Sequence, residues 1–135
     1  MKNLFLLFLS LFLYVKSSGQ IKIKGRVLSI TIKELSEVTP HKIISENYPT
    51  MAFFHLSDKK FFVNGSVNSP VYKLGDKDTV TINGEMVISY LSTINNELKM
   101  IAASEINGSP NMIKIAIFDM SGDKRYVEYR CKIGN

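Results

Sequence analysis

The stretch from residue 78 to residue 90, DTVTINGEMVISY, has the clearest hydrophobic pattern in the chain. Apolar residues recur there at every second position, on the phase that contains Val80, Met86, Ile88 and Tyr90. Alternate side chains of an extended strand point to opposite faces of a sheet. The pattern therefore predicts a β-strand with one buried face.

The dipeptide Asn83-Gly84 within this stretch has two interpretations. As a two-residue turn it would form a hairpin that pairs Val80 with Val87 but sets Ile82 opposite Glu85. As a bend in one continuous strand it keeps apolar and polar residues on separate faces. We expect the continuous strand, with the hairpin as the alternative.

The same alternation continues on both sides of this stretch, with turn residues between the apolar runs. It predicts seven strands, at residues 21–32, 50–56, 60–67, 78–90, 97–106, 112–119 and 124–133. No long helical periodicity appears. These features indicate a single all-β domain over residues 20–135.

Two segments depart from simple alternation. In the first strand the apolar phase changes between Val27 and Ile30, which predicts a bulge or a sharp bend near Gly25 to Leu28. Residues 33–49 lack a regular pattern, and we expect a long loop or a short helical turn there.

Residues 1–19 resemble a cleavable signal peptide. Lys2 provides the positive start, Leu4 to Val15 form an apolar run, and Ser17 to Gly19 supply small residues for cleavage. The run is shorter than the roughly 20 residues of a bilayer-spanning helix. We expect a secreted or periplasmic protein with no membrane span after cleavage.

The net charge bears on the partners of the protein, and the cysteine count bears on its disulfides. Loss of Lys2 and Lys16 with the leader would lower the formal net charge from +5 to +3. A value this small argues weakly for any polyanionic partner. Cys131 is the single cysteine, so no disulfide can form within the chain, and its apolar phase predicts a core position.

Three short motifs resemble the OB-fold, in particular exported and tRNA-anticodon-binding-like bacterial OB domains. They are Ile23-Lys24-Gly25-Arg26-Val27, the run from Leu74 to Met86, and Ala102 to Ile106. The resemblance implies a small five-stranded barrel, to which residues 112–133 add a C-terminal β-hairpin. The alternative is a seven-stranded β-sandwich.

The chain shows no pattern of catalytic residues. Its two histidines, His41 and His55, lie on different elements, and no metal-ligand spacing, nucleotide-binding loop or nucleophile motif is present. We therefore expect a protein that is not an enzyme and that has no cofactor and no metal.

One surface is a candidate ligand site. If alternate residues of strands 50–56 and 60–67 face the core, then Phe53, His55 and Phe62 face outward, beside Lys59 and Lys60. Arg26 is a further candidate at the rim. OB-folds bind oligonucleotides or sugars on their second and third strands, and aromatic rings stack on either ligand.

The aromatic cluster could instead have a purely structural role. It could be covered by residues 34–48 or by the last hairpin, or form a contact between copies of the chain. Lys73 and Lys77 could join its rim but fit an ordinary solvated surface equally well.

An exported protein has no access to genomic nucleic acid. We therefore expect a binding module for an extracytoplasmic protein, a glycan or a small polyanion. The alternative is a structural or interaction protein with the β-sandwich fold, in a secreted or envelope assembly.

Overall fold

The computed structural model describes residues 22–37, 40–82 and 84–134. These ranges contain nine strands: β1 (Lys22–Glu34), β2 (Lys42–Asn47), β3 (Ala52–Ser57), β4 (Lys60–Gly65), β5 (Tyr72–Ile82), β6 (Glu85–Ile94), β7 (Glu97–Glu105), β8 (Met112–Asp119) and β9 (Arg125–Ile133). In the part of the chain so described, no helix has the length and apolar character needed to cross a membrane. The predicted leader, residues 1–19, lies outside the described residues.

Strand β1 closes the sheet because it has neighbours on both edges. Its residues 25–34 pair antiparallel with β9. Along the other edge, residues 22–26 pair with β3 and residues 30–34 pair with β2. From β3 to β9 each strand pairs with the next in the chain. The result is a closed antiparallel barrel of eight strands, β1 and β3–β9, with β2 as an extra strand beside β1.

The expected five-strand count is therefore wrong, although the all-β barrel itself is confirmed. Strands β8 and β9 are not an added hairpin. They form two walls of the barrel, because β8 pairs with β7 and β9 pairs with β1. The β-sandwich alternative is not formed either, since the described strands all belong to one sheet.

The expected continuous strand from residue 78 to residue 90 is also wrong, and the hairpin alternative is correct. Strands β5 and β6 pair from Val80 with Val87 to Ile82 with Glu85, and Gly84 has a φ of 80°. This end of the hairpin is exposed, with Val80 at 36%. Mixed pairs cost little there. The alternating phase marks a buried face in β6, at Ile88 and Tyr90, but not at the exposed end of the hairpin.

Strand β2 lies within residues 33–49, for which a loop was expected. Five of its six side chains are exposed, so no buried alternating face marks it in the sequence. Backbone pairing with β1 holds these residues in the strand conformation. Among the described residues of this connection, 35–37, 40–41 and 48–49 remain irregular.

The predicted irregularity of the first strand is confirmed. The register between β1 and β9 shifts between Val27 and Ser29. Before the shift Val27 is buried in the core, and after it Ile30 packs against the core while Leu28 is partly exposed. A bulge thus moves the apolar phase from odd to even positions.

The barrel interior is filled with large apolar side chains. The largest fully buried ones are Tyr90, Phe54, Phe61, Leu56, Ile101, Ile113, Ile115, Val63 and Cys131. Phe61 of β4 meets Tyr129 of β9 across the interior, with ring centroids 5.7 Å apart. The predicted core position of Cys131 is confirmed, and burial raises the pKa of its thiol.

A polar contact fixes the turn between β3 and β4 to the barrel. Asp58 accepts hydrogen bonds from the Lys77 ammonium at 3.1 Å and from the Tyr90 hydroxyl at 3.2 Å. Burial, and then the Asp58 carboxylate, raise the pKa of Tyr90. The carboxylate of Asp58, the only acid of the turn, is therefore directed towards Lys77 and Tyr90.

Candidate functional site

The outer faces of β1, β3 and β4 bring the aromatic candidates together. In the register of the sheet, Arg26 lies opposite Phe53. His55 lies between Lys24 on one side and Phe62 on the other. Their neighbours along each strand, Phe54 and Phe61 among them, are buried in the barrel. We call this surface the basic face, and define it as Lys22, Lys24, Arg26, Phe53, His55, Lys60 and Phe62.

His55 and Phe62 stack on each other at the middle of the basic face. Their ring centroids are 4.5 Å apart and their planes differ by 11°. The Lys60 ammonium lies 5.5 Å from the centroid of Phe62, within the range of a cation–π contact. One face of each stacked ring is thus already covered by the other ring. The stacked pair therefore contacts the Lys60 ammonium and leaves little flat ring surface free for a ligand.

A pocket of about 440 Å³ lies beside the stacked pair. Its walls include the side chains of Lys22, Lys24, His55, Ser57, Lys60 and Phe62. Three lysines therefore contribute to the lining of one concave surface. Such an arrangement can hold a carboxylate, a sulfate or a phosphate.

The cations of the basic face have no acidic partners. Within the described ranges, no carboxylate forms an ion pair with Lys22, Lys24, Arg26 or Lys60. Asp58 is the only acid in residues 22–33 and 52–65, and it forms an ion pair with Lys77 of β5. The positive charges consequently add to one another and create a local field of one sign.

The structure places the sequence candidates as follows. Phe53 is 38% exposed, His55 and Phe62 are half-buried, and Arg26 and Lys60 are exposed. Lys59 is exposed in the turn between β3 and β4, where its carbonyl accepts a hydrogen bond from the Leu74 amide. Alternation along two strands predicted the outward direction of Phe53, His55 and Phe62.

Sequence reasoning did not include Lys22 and Lys24 in the site. Their signal is present, because Lys22, Lys24 and Arg26 share the outward phase of β1. Joining them to His55 and Phe53 required the pairing of β1 with β3, which no local pattern reveals. Lys77, considered as a rim charge, is instead paired with Asp58.

The two elements expected to cover the aromatic cluster lie elsewhere. Strand β2 pairs with the far half of β1, at residues 30–34. Strands β8 and β9 form the wall on the other edge of β1. In the described ranges, neither of them buries Phe53 or the stacked pair.

A larger cavity, of about 910 Å³, lies on the outer faces of β5–β9 and the end of β1. Its charges are largely compensated, since Glu128 forms ion pairs with Lys33 and Lys114. The Tyr126 hydroxyl and Nδ1 of His41 are joined by a hydrogen bond of 2.8 Å, and the Tyr126 ring stacks on Phe118. This surface is apolar in the middle, and its lining also includes the acids Asp76, Asp78 and Glu85, so it is not a cluster of cations like the basic face.

Neither surface has the composition of a metal centre. Among residues 22–37, 40–82 and 84–134, no group of three or more His, Cys, Asp or Glu side chains is placed to hold a metal ion. Comparison of the chain with protein-family models, with curated proteins and with solved structures found no match.

Proposed function

We propose that this chain is an exported, non-enzymatic binding module that holds an anionic extracytoplasmic ligand on its basic face. The observation that supports the proposal is the pocket beside His55 and Phe62, which is lined by Lys22, Lys24 and Lys60; none of these lysines forms an ion pair with a carboxylate of the described residues. Unpaired cations around a concave surface attract anions more strongly than scattered surface lysines do.

The position of the face on the barrel supports the same proposal. Strands β3 and β4 follow β1 around the barrel wall, so the face lies on its second and third strands. The OB-folds that the sequence motifs resemble bind oligonucleotides and sugars on their second and third strands. A rigid sheet also holds the cations in place without the cost of ordering a loop.

A compact multivalent anion tests the proposal. We expect sucrose octasulfate to bind the purified protein, and the double variant Lys24→Gln, Lys60→Gln to bind it about tenfold more weakly, a loss of about 1.4 kcal/mol. Isothermal titration calorimetry at low salt measures both affinities. Circular dichroism and thermal unfolding confirm that the variant remains folded.

The matched control removes two lysines from elsewhere. Lys42 of β2 and Lys124 before β9 are exposed and have no ion pair in the described part of the chain. Lys42→Gln, Lys124→Gln has the same net charge as the test variant. Equal losses of affinity in both double variants would show that net charge alone attracts the anion, and the proposal would fail.

A further inference from the structure

The cations around the pocket belong to a wider set that follows the register of the sheet. Lys60 lies opposite Lys73 of β5, and Arg26 lies opposite Lys132 of β9. Both added lysines are exposed and point outward, because their chain neighbours Tyr72 and Cys131 face the core. The positive surface thus extends across β9, β1, β3, β4 and β5.

The size of this surface follows from strand geometry. Neighbouring strands are about 4.8 Å apart, so these five strands cover about 19 Å around the barrel wall, half of the circumference of the eight-stranded barrel. The outward residues of β1 at positions 22, 24 and 26 are spaced about 6.8 Å apart, which gives about 14 Å along the strands. One compact anion cannot reach all of these charges at once. A chain with several anionic groups can.

The stacked pair limits what kind of chain this is. Proteins that bind single-stranded nucleic acid provide free aromatic faces on which successive bases stack. Here His55 and Phe62 cover each other, and Phe53 is the one other exposed ring of the basic face. The surface therefore offers many cations and little area for base stacking.

We infer that the ligand is a linear acidic polysaccharide that curves around the barrel wall over the five strands, with its sulfate or carboxylate groups on Lys22, Lys24, Arg26, Lys60, Lys73 and Lys132. This inference rests on the proposed function and adds the class of ligand. Saccharide chains present charge at regular intervals and need no aromatic stacking to be held by lysine and arginine.

Heparin oligosaccharides of increasing length test the inference on the purified protein. We expect affinity to rise with each added disaccharide until the oligosaccharide spans the five strands, and then to level off. The variant Lys73→Gln, Lys132→Gln should weaken binding of a long oligosaccharide about tenfold. Because these lysines lie outside the pocket, the same variant should bind sucrose octasulfate as the wild type does.

The outcomes separate this inference from the proposed function. If sucrose octasulfate binds through Lys24 and Lys60 but heparin affinity does not depend on length, the polysaccharide inference is wrong and the binding module stands. Tighter binding of single-stranded DNA than of heparin with equal charge would also overturn the inference. If neither sucrose octasulfate nor heparin binds, both proposals fail.

Discussion

Gly25 lies where the bent first strand approaches β9 and the interior most closely. A Cβ atom added there would be 1.9 Å from the carbonyl oxygen of Lys132 and 2.9 Å from Cε1 of Phe54. The first of these neighbours is backbone and cannot rotate away. The position therefore requires glycine because of space.

We expect Gly25→Ala to lower the free energy of unfolding by about 3 kcal/mol or more, as overpacking against fixed backbone does. Gly84→Ala is the matched control. It has a φ of 80° but no atom within 4 Å of an added Cβ, so backbone strain of about 1 kcal/mol is its whole cost. Urea unfolding measures both, and equal losses would contradict the close approach.

Tyr129 makes the fold sensitive to alkaline pH. Burial, followed by the neighbouring Tyr72 and Cys131, raises its pKa from 10.0 to about 12. The unfolded chain releases this proton at lower pH than the folded chain. The stabilisation is complete below pH 10 and is lost as the pH rises from about 10 to about 12.

For this group the free energy of unfolding should fall by up to about 1.4 kcal/mol per pH unit within that window. Tyr129→Phe keeps the ring and removes the titrating group, so its decline above pH 10 should be shallower. Urea unfolding of both proteins between pH 8 and pH 11 measures the difference. Parallel declines would show that the raised pKa of Tyr129 contributes nothing to the pH dependence.

Between β4 and β5 the barrel has its shortest seam. Only Lys60 with Lys73 and Phe61 with Tyr72 pair in register there. Beyond them the edge of β4 is satisfied by Ser69, whose hydroxyl accepts a hydrogen bond from the Val63 amide at 2.8 Å and whose amide donates to the Val63 carbonyl at 2.9 Å. Ser69 thus provides the two hydrogen bonds to Val63 that a neighbouring strand would otherwise form.

We expect Ser69→Ala to cost about 1 kcal/mol, because the Val63 amide loses its acceptor. Amide hydrogen exchange should show faster exchange at Val63 and unchanged rates in β7 and β8, since the loss is local. Ser66→Ala is the matched control: its hydroxyl accepts a hydrogen bond from the Met51 amide at 3.2 Å, so its loss should leave exchange at Val63 unchanged. Unchanged protection of Val63 would mean that the serine does not close this edge.

Local alternation predicted most of the walls but not how they join. The outward set Phe53, His55 and Phe62 and the bulge after Val27 were readable from the sequence, since both depend on neighbours within one strand or one hairpin. The eight-strand count was not, because closure depends on β9 pairing with β1, about a hundred residues away in the chain. Lys22 and Lys24 were left out of the site for the same reason.

Charge is distributed unequally around the barrel as a whole. Among the residues that the structure describes, Lys22, Lys24, Arg26 and Lys60 of the basic face form no ion pair, whereas Glu128 of β9 pairs with Lys33 of β1 and Lys114 of β8. A formal net charge of +5 for the full chain conceals this separation. Binding should therefore depend on which wall carries a charge and not on the total.

Salt dependence tests this distribution. We expect the logarithm of heparin affinity to fall linearly with the logarithm of salt concentration, because bound cations of the protein displace counterions from the polymer. Removing Lys24 and Lys60 together should reduce the slope by about two, or about one for each lysine. The control pair Lys42→Gln, Lys124→Gln should leave the slope unchanged, and an equal reduction there would argue against a localised site.

Amide chemical-shift mapping during titration with sucrose octasulfate measures directly where an anion binds. The proposed function predicts that the largest shifts lie in Lys22–Arg26 and on the paired residues Phe53 and His55 of β3 and Lys60 and Phe62 of β4. Largest shifts on the outer faces of β6–β8, with the basic face unchanged, would contradict it.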